Sequence, residues 1–319
     1  MRNYDEQYLN EIKNIDFYPV FILGLHRSGT SILYKMLTAT NSFNSVTAYH
    51  LIKYNQLLFD YKKDRIDLEK NKLTESIQVK DRGIDRLKID ADFAEEYGFL
   101  LGQKTFEMYI TNKNKNVFKE MCKKIQYISN NKKPILLKNP YDLSNFIFIK
   151  SIFPNSKFIF IQRHPFKTLS SSIKAIQVLF KAEKNPYTTY LFKIYNKIFE
   201  NPILLSFTKF IFCRFPIFGM IFLTRFSSSA TKYYLKNVKK LKNEDFIVTT
   251  YENLCKNPQE NIMKIMDVLK IKINKNQDFN NYIKPRKTDL DKSVKILRNY
   301  IFYKMKKYFK EFNYKIEED

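Results

Sequence analysis

Between Gly24 and Ser31 the chain sets two glycines, three hydroxyl side chains and one arginine in a single turn, Gly24-Leu25-His26-Arg27-Ser28-Gly29-Thr30-Ser31. The chemistry open to that set is the binding of anionic oxygens. Backbone N–H groups and hydroxyls donate, glycine lets the chain close around a ligand, and Arg27 puts a cation inside the loop. Two further cations, Lys138 and Arg163, each stand at or just beyond the end of a short apolar run. Three cations brought to one place would form an anion site.

The elements flanking the turn are the ones such a site needs. Val20-Phe21-Ile22-Leu23 is an unbroken apolar run too short for a helix, so it reads as a strand buried on both faces. Ile32, Leu33, Met36 and Leu37 then recur at helical spacing. Pro134 to Lys138 and Phe158 to Ile161 read as further buried strands, and Pro165 suits the first turn of a helix carrying Leu169, Ile173, Ile176 and Phe180. Asp245 to Thr250 is another strand. Strands separated by helices imply parallel pairing with right-handed crossovers, and ligands of such sheets sit outside the carboxyl ends of the strands. The turn has the spacing of a Walker A loop, but Thr30 stands where that loop has its lysine. This weakens a nucleoside-triphosphatase reading and leaves phosphate binding intact.

Composition bounds the rest. A length of 319 residues suits one large α/β domain or two small ones, and 44% hydrophobic residues supply a core. The net charge of +24 favours anionic partners. It does not choose among them, because the chain is also rich in Lys, Asn, Ile, Phe and Tyr throughout. Cys122, Cys213 and Cys255 show no metal-ligand spacing, and a reducing compartment is the simple expectation. The first 16 residues mix charges of both signs, reading as a polar lead-in helix rather than a signal peptide.

Elsewhere, Ser45 to His50 reads as a second strand ending at His50. Asp90 to Gly102 reads as an acidic-capped helix, residues 114–130 as an amphipathic helix, and Asp142 as the cap of the next helix. Asn257 to Glu260 carries a capping-box pattern. Residues 271–319 form a basic, then acidic extension with a helix from about Lys292. Residues 184–226 are an aromatic and basic insertion. Within it, Ile203 to Leu223 is long enough to span a bilayer but contains Lys209, Arg214 and Pro216. Each central cation costs about 2.5–3.5 kcal/mol to insert and each apolar side chain returns roughly 0.3–0.6, so the sum is close to zero. A helical hairpin over the acceptor site is the favoured functional reading and a basic-edged membrane-surface patch through 203–223 the second, with plain core packing weighing as much as the two together.

Four segments, in order, carry a resemblance. HRSGTS (26–31), LLKNPYDL (136–143), FPNSKFIFIQRHPFKTLSSS (153–172) and TTYENLCKNPQENIMKIMDVL (249–269) resemble motifs of the sulfotransferases that use 3′-phosphoadenosine 5′-phosphosulfate (PAPS), in their broader bacterial and carbohydrate branches. The resemblance implies an α/β P-loop NTPase-like fold in three layers, with a central parallel sheet, a helical insertion and one domain over 1–319. It implies a PAPS co-substrate, no metal, and a hydroxyl acceptor on a glycan or lipid. Carried over, Arg27, Ser28, Gly29, Thr30 and Ser31 would hold the 5′-phosphosulfate, and Arg163 and Ser171 the 3′-phosphate. Tyr251 would lie near the adenine, and Arg27 and Lys138 would neutralise charge on the moving group. Sulfuryl transfer needs alignment and charge stabilisation, which a loop arginine supplies. AEEYGFLLG (94–102) resembles an acceptor-side helix of the broader branch.

The chain departs from that pattern at three points. His164 stands where the family often has Asp or Asn. Pro140 stands where one branch carries a histidine base. The family's basic segment near the C-terminus is matched at most by Lys284-Pro285-Arg286-Lys287. The base must then come from elsewhere. His50 is the first candidate, because its imidazole suits taking a hydroxyl proton, and Glu95 or Glu96 is next. Competing readings are a P-loop kinase with Mg²⁺ and a non-catalytic basic protein at a membrane surface. No nucleic-acid partner is expected, and the location expected is cytoplasmic, peripheral to a membrane if 203–223 touches one.

Overall fold

The computed structural model describes residues 2–77, 84, 88–283 and 289–316. Strands β1 (Pro19–Leu23), β2 (Asn44–Ser45), β3 (Ile135–Lys138), β4 (Lys157–Gln162) and β5 (Phe246–Thr250) form a parallel sheet in the order β2-β3-β1-β4-β5. β1 is buried along its whole length, and its alternation feeds two cores. Phe21 and Leu23 join Leu137, Phe158 and Phe160 on one face of the sheet. Val20 and Ile22 join Leu136, Ile159 and Ile161 on the other. Each such buried side chain contributes about 1.5–3 kcal/mol, which is why a five-residue run holds the middle of the sheet.

The helices that matter here are α1 (Thr30–Ala39), α2 (Ala48–Ile52), α3 (Gly98–Thr105), α4 (Lys115–Ser129), α5 (Pro165–Lys181), α6 (Pro202–Lys209), α7 (Pro216–Asn237), α8 (Tyr251–Lys256), α9 (Pro258–Leu269) and α10 (Arg298–Glu311). α1 and α9 cover the Val20 face through Leu33, Met36, Leu37, Ile262, Ile265 and Leu269. α4, α5, α7 and α10 cover the Phe21 face through Phe118, Ile173, Met220 and Tyr308, among others. Helix, sheet and helix give the three-layer α/β fold expected. Because every strand is parallel, all carboxyl ends lie on one edge. β1 pairs with β3 on one side and β4 on the other, with Ile22 opposite both Lys138 and Ile159. The turn after β1 therefore emerges between the tips of β3 and β4.

Several local expectations are corrected. The second strand stops at Ser45, and His50 lies inside α2, because Thr47 and His50 form a reciprocal capping box that starts a helix there. The acidic run from Asp90 is not helical. Ala94 bridges to Thr47 in antiparallel fashion, and α3 starts at Gly98 and runs past Gly102 to Thr105. Asp142 caps no helix. It is fully buried within the turn Pro140–Ser144 and accepts from Tyr97 Oη, Asn139 Nδ2, Asn145 Nδ2 and the Ile110 amide. Among the described residues of the lead-in only Glu6–Ile12 is helical, as 3-10 turns.

The insertion packs its inner side on α5. A Cβ on Gly219 would come within 2.6 Å of Phe212 and 3.2 Å of Ile173, so these helices meet at van der Waals distance. Gln177 Nε2 also donates to the Phe212 carbonyl at 3.1 Å. Segments Pro202–Arg214 and Pro216–Lys240 meet at a 90° bend, and among the described residues no single helix is long and apolar enough to cross a membrane. The run Lys284 to Lys287 lies outside the described residues.

Candidate active site

Two glycines let the turn close. A Cβ on Gly24 would lie 2.4 Å from the Ile161 carbonyl and 2.5 Å from Ser28 Oγ, so only glycine lets β1 leave the sheet this close to β4. Gly29 has φ +104°, and a Cβ there would meet the Tyr251 ring at 2.5 Å. Arg27 itself adopts φ +69°, a left-handed conformation that costs a non-glycine residue about 1–2 kcal/mol. The strain sits at the residue whose side chain carries the loop's charge.

The three cations meet. Arg163 Nη1 donates to the Arg27 carbonyl at 2.8 Å, and its guanidinium lies 4.2 Å from the centre of the Tyr251 ring. Arg27 Nε donates to Ser171 Oγ at 3.1 Å, tying the turn to α5. On the other side, the fully buried Lys138 donates from Nζ to Ser31 Oγ at 3.0 Å and lies 3.6 Å from Glu96 Oε1. Arg27, Ser31, Lys138, Arg163, Ser171, Gly29 and Tyr251 thus belong to one continuous cluster. Ser28 Oγ and Arg163 Nε are buried there without a hydrogen-bond partner among the described residues. Leaving buried polar groups unmade costs about 1–3 kcal/mol each. Unmatched donors among three cations fit a ligand rich in anionic oxygen.

The Arg163 segment is held from behind by the C-terminal extension. Tyr308 Oη on α10 donates to Gln162 Oε1 at 2.7 Å. The Glu252 carboxylate accepts from the His164 amide at 3.1 Å and from Tyr314 Oη at 3.3 Å. His164 is fully buried among Phe166, Phe309 and Tyr314. Its Nδ1 accepts from the Phe166 amide at 3.2 Å, so the neutral ring presents Nε2–H to the Lys315 carbonyl at 2.9 Å. A histidine at this position therefore caps the first turn of α5, the task that Asp or Asn performs through an oxygen. Sequence reasoning missed Tyr308 and Tyr314. The only signal was apolar spacing over Ile301, Met305, Tyr308 and Phe309, which says core without saying what the core supports.

His50 is not part of this cluster. Its Nδ1 accepts from the Thr47 amide at 3.1 Å and lies 3.1 Å from the Thr47 hydroxyl, so the lone pair a base would use is engaged in the helix cap. Burial, with Lys70 adding to it, lowers the ring to about 3. The candidate base at the rim is instead Glu96, which precedes α3 and faces Lys138. Glu95 points elsewhere, accepting from Tyr187 Oη at 2.8 Å. His26, passed over in the sequence, is also here. Its ring meets Tyr141 edge-on with centroids 4.6 Å apart. Burial holds His26 below the usual imidazole range, Glu96 opposes that, and Arg27 and Lys138 add to it. Position alone, between Gly24 and Arg27, was the signal for it.

A model described as Sulfotransferase family matches residues 19–200, more than half of the chain, from β1 through α5 into the insertion. Among curated proteins no sequence match is found. Among solved structures, a sulfotransferase of Mycobacterium avium superposes with a TM-score of 0.57 at 12% identity, over 98% of this chain and 81% of its own. One from Mycobacterium tuberculosis gives 0.56 at 12% identity, over 84% and 71%. At that identity the likeness is one of fold.

Proposed function

The chain belongs to the sulfotransferase family, and we propose that it moves a sulfuryl group from PAPS to a hydroxyl of a glycan or lipid-linked acceptor. Arg27, Ser28, Gly29, Thr30 and Ser31 receive the 5′-phosphosulfate. Arg163 and Ser171 receive the 3′-phosphate, and Tyr251 borders the nucleotide. In the transfer the bond from sulfur to the phosphate oxygen breaks as one to the acceptor oxygen forms. Arg27 and Lys138 stabilise the charge that gathers on the leaving phosphate; arginine does so without giving up a proton. Glu96 takes the hydroxyl proton. Lys138 faces both Ser31 and Glu96 and so links the anion cradle to the base.

The observation that carries this reading is the Arg163–Arg27 contact beside the unmatched Ser28 and Arg163 donors. The test is thermal unfolding with 3′,5′-ADP or with ATP and Mg²⁺. A nucleotide that binds only the folded chain raises its stability by about 2.7 kcal/mol at a hundredfold excess over Kd. The expected result is a clear rise in Tm with 3′,5′-ADP that Arg163→Ala removes. A rise with ATP and Mg²⁺ alone overturns the reading in favour of a kinase.

A further inference from the structure

We propose that the outward face of α6 and α7 docks the protein on a lipid surface carrying anionic headgroups. The two helices turn large apolar side chains to the outside at helical spacing. On α6 and the turn after it these are Ile203, Phe207 and Phe210; on the approach to and along α7 they are Phe215, Phe218, Phe222 and Phe226. Exposure reaches 82% at Ile203, 60% at Phe207, 55% at Phe218 and 61% at Phe222. The opposite sides of the same helices are already satisfied: Phe212, Gly219 and Met220 pack inward toward α5. The exposed rings are therefore not a core turned inside out, and a patch of this size marks an interaction surface.

Charge identifies the occupant. From Asn201 to Asn243 the chain has eight Lys and Arg and no Asp or Glu. Along α7 the outward stripe changes from the rings at 215–226 to Arg225, Lys232 and Lys236, all exposed. None of these three, nor Lys209 or Arg214, forms an ion pair among the described residues. A protein partner with an apolar pocket would account for the rings alone. An anionic membrane accounts for both halves: the rings enter the acyl boundary and the cations remain among the phosphates. The two segments meet at a 90° bend, and among the described residues no single helix is long and apolar enough to cross a bilayer, so contact with its surface is the reading proposed.

The inference does not depend on the sulfotransfer reading, because it is tested without nucleotide. The purified protein is sedimented with vesicles of phosphatidylcholine alone and of phosphatidylcholine mixed with phosphatidylglycerol, at low and high salt. Binding is expected to the mixed vesicles, weaker to phosphatidylcholine alone, and weaker in salt. The triple variant Phe207→Ser, Phe218→Ser, Phe222→Ser should lose at least about tenfold in partitioning while keeping its Tm. Those substitutions leave the net charge unchanged, so undiminished binding of the variant would reduce the effect to adsorption of a basic chain and overturn the proposal. Wild-type protein that stays in solution with both vesicles overturns it as well. So does a concentration-dependent dimer that the triple variant dissolves and that does not bind vesicles, since the face would then belong to a second copy.

Discussion

The tips of β1, β3 and β4 and the outer face of α6 and α7 are made of the same residue types and put them to opposite uses. At the strand tips every cation is anchored: Lys138 to Ser31 and Glu96, Arg163 to the Arg27 carbonyl and Tyr251, Arg27 to Ser171. On the hairpin, Arg225 and Lys232 are exposed along the same helix as the exposed Phe218 and Phe222 rings. Held cations with unmatched donors near them select a ligand by geometry. Loose cations next to exposed rings select a surface by charge and area. A net charge of +24 predicts neither use, because it sums both regions.

The sharpest way to break this contrast is at the rim. Lys138→Ala removes the buried donor proposed to stabilise the developing charge, and turnover should fall by about 10²–10³. Glu96→Gln keeps the shape and removes the proposed base, at an expected cost of about 10²–10⁴ in kcat. In both, 3′,5′-ADP should still raise Tm, since the Arg27, Ser171 and Arg163 contacts are untouched. Steady-state kinetics beside thermal shifts would decide it. Near-normal turnover in Glu96→Gln would mean that the anchored cluster binds a ligand without performing the chemistry.

How much of this was legible in the chain follows from the range of each interaction. β1, β3 and β4 were readable because a strand buried on both faces must be an unbroken apolar run. Their tips were readable because parallel strands end on one edge. The base was not. His50 and Glu96 are both polar residues a few positions from a turn, and what separates them is a cap to Thr47 in one case and a lysine 42 residues downstream in the other. The helix expected from Asp90 failed for a related reason: a bridge from Ala94 to Thr47 holds that segment extended, and local composition cannot register it. The hairpin was readable as aromatic, apolar and basic, but composition does not say which side of a helix faces the core, and here both sides carry apolar residues.

The boundary of the rim can be sharpened by pH. His50 is buried and capped, so the folded chain holds it at about 3 against an ordinary 6.5. The unfolded chain therefore takes up the proton first as pH falls. Stability from this group is complete above pH 6.5 and drains as pH falls toward 3, by about 1.4 kcal/mol per unit. His50→Asn keeps an acceptor for the Thr47 amide and cannot titrate. Urea unfolding between neutral and mildly acidic pH should show its slope reduced by one proton, with turnover at neutral pH unchanged. A large loss of turnover would return His50 to the site and blur the division drawn here.

The smallest effect belongs to the hairpin, and its smallness is the point. Phe218 and Phe222 are more than half exposed, so replacing either with serine takes little apolar area out of the folded protein that was not already in water. Surface changes of this kind lie within about 0.5 kcal/mol of neutral. Phe218→Ser should therefore leave Tm almost unmoved, whereas Met220→Ser, two residues along the same helix and fully buried, should destabilise by roughly 2–5 kcal/mol or more. Paired thermal melts measure the difference directly. If Phe218→Ser proves as costly as Met220→Ser, the rings are packed against something in the protein itself, and the contrast between an anchored rim and an open face is lost.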